Sequence, residues 1–215
     1  MNTQYTIVVL ISGRGSNLQS LHKNSGHFRI ASVVSNNPDA LGIEFAKVQG
    51  LTTKVVPRGA YASLKEQKAA ILQAVVDERP DLVVLAGFMQ IIEPAFLEKF
   101  KNRVINIHPS LLPQLPGLDT HKRALESGLR EHGCSVHMVD AGVDTGCLIA
   151  QGKVPVHASD TEEQLAKRVL EVEHVLYPWV VNHVAQGNIV LANQPHVNEI
   201  VRQEAKQKGF ILPTI

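Results

Sequence analysis

Long apolar runs, cysteine and net charge are all scarce in this chain of 215 residues. Its two cysteines, Cys134 and Cys147, cannot build a disulfide framework and lack the spacing of a four-ligand zinc site. Reduced thiols fit a cytosolic protein. No stretch reaches the roughly 18 consecutive apolar residues of a membrane span. The opening MNTQYTIVVLISGRGSN has no basic leader ahead of its short apolar run, so no signal peptide is expected. Lys plus Arg number 21 against 20 for Asp plus Glu, a formal net charge of +1, without the broad cationic field of a nucleic-acid binder. Aromatic residues are few, and Trp179 and the scattered phenylalanines form no stacking stripe for bases. The expectation is a cytoplasmic protein, monomer or homodimer, with no nucleic-acid, membrane or metal partner; composition alone says nothing about its chemistry.

What is present is an ordinary globular composition, 44% hydrophobic and 19% charged, in a chain long enough to bury a core without staples. Runs at 6–12, 29–35, 52–56 and 81–87 are β-branched and nearly continuous in apolar character, as strands covered on both faces are. Helical segments alternate with them. One opens at Ser16, another follows Asn37-Pro38-Asp39, and a third is expected over 60–79, ended by Pro80. A helical stretch at 93–100 precedes a fifth run at 103–107. This rhythm predicts an α/β fold, a doubly wound, mostly parallel sheet with helices on both faces. Residues 107–120 carry three prolines and no periodicity, which reads as a long ordered or functional loop. Two later strands are expected at 133–140 and 147–156. A helix from about 161 to 176 follows, opened by a capping-like Ser159-Asp160-Thr161-Glu162-Glu163 and interrupted by Pro178. One domain is expected over 1–193, with 194–215 a tail that is a short surface helix or partly disordered.

Four segments could carry chemistry. SGRGSN (12–17) lies between the first strand and the first helix, where glycines permit close backbone approach and free N–H groups attract an anion. It reads as a phosphate cradle or as an ordinary glycine-rich turn; it is neither a Walker A loop nor a full G-x-G-x-x-G. INIHPSLLP (105–113) sits at the carboxyl end of the fifth strand, where open α/β sheets bind ligands. Asn106 and His108, two apart on a strand, project to one side and together offer an oxyanion hole and a general acid. They could equally serve loop backbone, since ten histidines are present. Asp144, in GVDTG, could raise the pKa of an imidazole and fix its tautomer, or simply close its own turn. Glu173, on the late helix, could accept from sugar hydroxyls or lie on a solvated face. His132, His137 and His174 have no metal-ligand spacing.

SGRGSNLQ, LAGFMQII (85–92), INIHPSLLPQLPG, GVDTG and EHVLYP occur in one order that resembles the phosphoribosylglycinamide formyltransferase family, over about residues 5–192. NIHPSLLP marks the wider folate-dependent formyltransferases, and SGxGSN with EHxxYP narrows this to the glycinamide ribonucleotide branch. The resemblance implies a Rossmann-like formyltransferase fold. It also implies formyl transfer in purine biosynthesis, from 10-formyltetrahydrofolate as co-substrate to the amine of glycinamide ribonucleotide, with no metal. By the same resemblance Gly15, Ser16 and Asn17 hold the phosphate and Glu173 the ribose hydroxyls. Met89, Gln90, Ile91, Ile92, Asp140, Ala141, Gly142 and Val143 wall the folate pocket, with Lys65 in place of a basic contact near position 64. Asn106, protonated His108 and Asp144 are the implied catalytic trio, with Asp144 keeping His108 charged. The chain departs from the family pattern in its neutral Gln90 and in Arg14 within the glycine loop. Two rivals are a formyltetrahydrofolate hydrolase-like enzyme, whose relatives carry a further domain, and a non-catalytic nucleotide-binding module. The second would have an acidic residue ending the second strand, where Ser35-Asn36-Asn37 stands instead.

Overall fold

The computed structural model describes residues 4–213, so the first three and last two positions of the expected domain and tail lie outside the described residues. Contacts divide the described chain between Ile105 and Asn106 into two compact units. In the first unit β1 (Tyr5–Ile11), β2 (Phe28–Ser35), β3 (Thr53–Val55) and β4 (Leu82–Leu85) run parallel in the order β4-β1-β2-β3. The apolar runs of β1 and β4 are buried nearly end to end and β2 over most of its length, whereas β3 at the edge is half-buried to exposed. Helices α1 (Ser16–Lys23), α2 (Leu41–Val48) and α3 (Leu64–Val76) connect the successive parallel strands, and α4 (Pro94–Lys99) follows β4. β2 and β3 leave β1 on one side and β4 returns on the other. The carboxyl end of β1 is therefore a topological switch point, the place where such sheets bind ligands.

The expected helix over 60–79 is shorter. A 3-10 turn occupies Arg58–Ala60, and α3 starts only after Ser63, whose hydroxyl accepts from the Glu66 amide and fixes the N-terminus. β5 (Val104–His108) crosses the division between the units.

In the second unit the order is β10-β7-β6-β5, with β6 (Glu131–Met138) and β7 (Leu148–Pro155) antiparallel and β10 (Phe210–Ile211) added antiparallel at the edge. The fold class is thus an open, mostly parallel sheet with flanking helices. Helix α5 (Thr120–Glu126) closes the proline-rich segment, and α6 (Glu162–Ala185) opens with a capping box between Thr161 and Gln164.

Pro178 does not interrupt α6, which runs on to Ala185. Losing the amide and crowding the preceding turn costs about 3 kcal/mol in an isolated helix. Here Leu176, Tyr177, Pro178, Trp179, Val180 and Val181 are all buried, and that packing offsets the cost. The span read as a tail carries β9 (His196–Val197), which pairs with β8 (Ile189–Val190) just ahead of that span, then α7 (Glu199–Lys208) and β10. Asn198 caps α7, and Glu204 on α7 accepts from both Trp179 Nε1 and His183 Nε2 on α6. Among the described residues no helix is long and apolar enough to cross a membrane.

Candidate active site

The glycine loop follows β1 at the switch point of the first unit. Gly15 is the N-cap of α1 at φ 75°, and a Cβ there would stand 2.6 Å from the Gly42 Cα. Only glycine fits this left-handed, crowded position. The close approach lets the Gly42 amide donate to the Gly13 carbonyl at 3.1 Å. No acidic residue and no side-chain cap occupy the first turn of α1. Its N-terminal amides and positive dipole end thus face the loop without a competing carboxylate. Asn17 is buried, Ser16 is partly buried and Arg14 is exposed.

Ser12, the first residue of the SGRGSN motif but one given no role of its own from the sequence, organises this end of the unit. Its amide donates to the Gly87 carbonyl, its hydroxyl accepts from the Met89 amide and donates to Asn36 Oδ1, and its carbonyl accepts from Asn37 Nδ2. The loop after β4 is thereby tied to the loop after β1. The Asn36-Asn37 pair that ends β2 without a carboxylate serves this junction. Along the loop after β4, Gln90, Ile91 and Ile92 line a pocket of about 180 Å³ together with Lys65. Met89 is exposed beside it. Gln90 Nε2 donates to Gln67 Oε1, whose own amide donates to the Val56 carbonyl, while the buried Gln90 Oε1 has no partner among the described residues. An orphaned buried acceptor is costly, so the pocket favours a ligand that brings a donor.

The catalytic candidates lie together in the second unit. Asn106 and His108, on the same side at the end of β5, meet His137 from β6 and Asp144 from the loop after it. His108 Nδ1 is 3.3 Å from Asp144 Oδ2, and its Nε2 is 3.0 Å from the Leu115 carbonyl. Asn106 Nδ2 is 3.2 Å from His137 Nε2, which lies 3.6 Å from Asp144 Oδ1. His137 Nδ1 is 2.7 Å from the Met138 carbonyl, which can only accept, so that nitrogen carries the proton. Its Nε2 then accepts from Asn106, whose carboxamide retains a second N–H for an incoming oxygen. His137 is the member that sequence reasoning passed over. Its signal was positional: a polar side chain in a strand buried along nearly its whole length, two residues beyond buried Ser135 on the same face.

Charge in this cluster corrects one expectation. His108 was expected to be held protonated by Asp144. Burial pushes its pKa down, and that outweighs the hydrogen bond to Leu115 and the attraction of Asp144, which both act upward. The resting ring is neutral near pH 7, with one proton between two acceptors. For Asp144 burial acts upward but is outweighed. The close approach of His137, the hydrogen bond from the Gly117 amide at 2.9 Å, and the attraction of His108 and His137 whenever those rings are protonated hold the carboxyl below the usual carboxylate range. Asp144 itself sits at φ 55°. Its loop is closed by Asp140, whose carboxylate accepts from the Gly142 amide and the Thr145 hydroxyl, while Ala141, Gly142 and Val143 are exposed at the tip.

Glu173 lies on α6 and is buried, not on a solvated face. After burial, its charge is the second cause that raises the Tyr177 phenol well above its ordinary value. Among the described residues no three histidine, cysteine or acidic side chains are arranged to hold a metal ion.

Residues 5–181 match the protein-family model described as formyl transferase. Phosphoribosylglycinamide formyltransferase of Escherichia coli K12 is 44% identical over 85% of this chain and 88% of its own length. The trifunctional purine biosynthetic protein adenosine-3 of Drosophila melanogaster is 39% identical over 86% of this chain, which spans 14% of that longer protein. The crystal structure of glycinamide ribonucleotide transformylase 1 from Symbiobacterium toebii superposes with a TM-score of 0.87 at 39% identity, covering 93% of this chain and 96% of that one. This chain belongs to the formyl transferase family.

Proposed function

We propose that the protein transfers the formyl group of 10-formyltetrahydrofolate to the amine of glycinamide ribonucleotide, in purine biosynthesis. The observation that carries this reading is the convergence of Asn106, His108, His137 and Asp144 at the end of β5, in a chain of the formyl transferase family. Attack of the neutral amine on the formyl carbon makes a tetrahedral oxyanion. The second N–H of Asn106 and the Nε2–H of His108 are its donors, the substrate oxygen competing with the Leu115 carbonyl for the latter.

His108 enters neutral and is flanked by two acceptors. As negative charge develops beside it, its cationic form is favoured, and the ionised Asp144 stabilises that form. The proton shed by the attacking amine reaches the departing folate nitrogen through this pair or a water it orders. Gly15, Ser16 and Asn17 take the phosphate at the N-terminus of α1, and buried Glu173 takes the ribose hydroxyls. Met89, Gln90, Ile91, Ile92 and Lys65, with Asp140, Ala141, Gly142 and Val143, contact the folate. The unpartnered Gln90 Oε1 supports a nitrogen donor on that ligand.

The test is to incubate the protein with both substrates and follow folate product by absorbance. Product that forms only with the ribonucleotide supports the proposal. Product formed equally without it points to a hydrolase and contradicts it.

A further inference from the structure

Arg123 stands apart from the other cations of the second unit because it serves backbone carbonyls alone. Its Nη1 donates to the Pro116 carbonyl at 2.6 Å and to the Leu118 carbonyl at 3.2 Å. No carboxylate lies within ion-pair distance of it among the described residues. The segment it grips is conformationally unusual. Leu115 at φ 54° and Asp119 at φ 57° are left-handed without being glycine, and Gly117 at φ 80° lies between them. Such backbone conformations persist only where the surroundings hold them in place. The same segment supplies the two backbone groups that touch the catalytic pair: the Leu115 carbonyl on His108 Nε2 and the Gly117 amide on Asp144 Oδ2.

We infer that Arg123 is a positioning residue, a guanidinium clamp that holds the 115–119 turn so that its Leu115 carbonyl and Gly117 amide keep His108 and Asp144 in register. The fork suits the task, since one terminal nitrogen carries two hydrogens and spans two carbonyls, which a point-like ammonium does less rigidly. Its neighbours at the site fit this role. Asp144 is faced by His108, His137 and the Gly117 amide, and His108 by Asp144, His137, Leu115 and the Arg123 charge itself. The inference rests on the proposed catalytic reading of His108 and Asp144.

The test uses Arg123→Met in the full chain with two readouts. One is kcat and KM for formyl transfer; the other is titration of the Asp144 carboxyl by carbon NMR, which needs no turnover. Loss of the clamp is expected to lower kcat about tenfold with little change in KM, within the roughly hundredfold that a 1 Å misplacement can cost. The Asp144 carboxyl should titrate at higher pH, because the Gly117 amide no longer holds its ionised form. Arg123→Lys, which keeps the charge and loses the planar fork, should change both in the same direction by less. Wild-type kcat, or an unmoved Asp144 titration, overturns the inference. If Arg123→Met does not fold, Arg123→Lys is held to the same two readings. Asp144→Asn run alongside separates the failures: if it keeps full turnover the catalytic reading is wrong, whereas if it loses turnover and the Arg123 variants are silent, only the clamp is.

Discussion

Replacing Ser135 with alanine removes one hydroxyl from a fully buried position, and three connections go with it. Ser135 Oγ donates to the Ser110 carbonyl at 2.6 Å, accepts from the Leu112 amide at 3.0 Å and accepts from Gln151 Nε2 at 2.7 Å. Together they fasten the segment that leaves His108 to the adjacent strands β6 and β7. Each net hydrogen bond is worth about 1 kcal/mol, and a buried donor left without a partner costs about 1–3 kcal/mol. Gln151 keeps its second bond, to the Leu112 carbonyl at 2.9 Å, so its loss is partial. The Leu112 amide and the Ser110 carbonyl are the groups stranded. Ser135→Ala should therefore destabilise the protein by about 2–4 kcal/mol. In a chain of this size that lowers the melting midpoint by roughly 5–15 °C. Urea and thermal unfolding of both proteins at pH 7.5 measure it. A loss below about 0.5 kcal/mol, the range of an ordinary surface substitution, would refute the reasoning.

Acid should weaken the fold through its buried histidines. Burial lowers the pKa of His108 and His121, and pushes that of His132 down to about 4, with the neighbouring His121 and His108 adding to the effect. Between about 6.5 and 4 the unfolded chain binds more protons than the folded one, so stability is full above that window and falls as pH drops through it. His132 alone could account for about 3 kcal/mol, which solvent screening reduces to roughly 1–2 kcal/mol. Equal urea midpoints at pH 7.5 and pH 5 would contradict this. Gly15→Ala places a methyl against the Gly42 backbone at positive φ, so it should cost about 1–3 kcal/mol of stability and weaken ribonucleotide binding. Unfolding and calorimetric titration with glycinamide ribonucleotide check both parts.

The parts of this molecule that were legible in its sequence are those fixed by local pattern. Continuous apolar runs marked β1, β2 and β4, because strands covered on both faces carry no polar alternation. Asn106 and His108 could be placed on one side of a strand from their spacing, and the structure brings Asp144 to them. What stayed hidden depends on packing between distant segments. The closure of Gly42 on Gly15 and the junction at Ser12 join residues far apart in the chain. Pro178 carries a local stop signal that buried neighbours on α6 override. The neutrality of resting His108 follows from its burial, which no spacing rule encodes.

The catalytic role given to the Asn106 carboxamide can be measured directly, as kcat for formyl transfer in Asn106→Ala with ribonucleotide binding followed in parallel. Losing one preorganised donor should lower kcat by roughly 10²–10³-fold while binding is largely kept. A variant that turns over at the wild-type rate would mean that no oxyanion is held there.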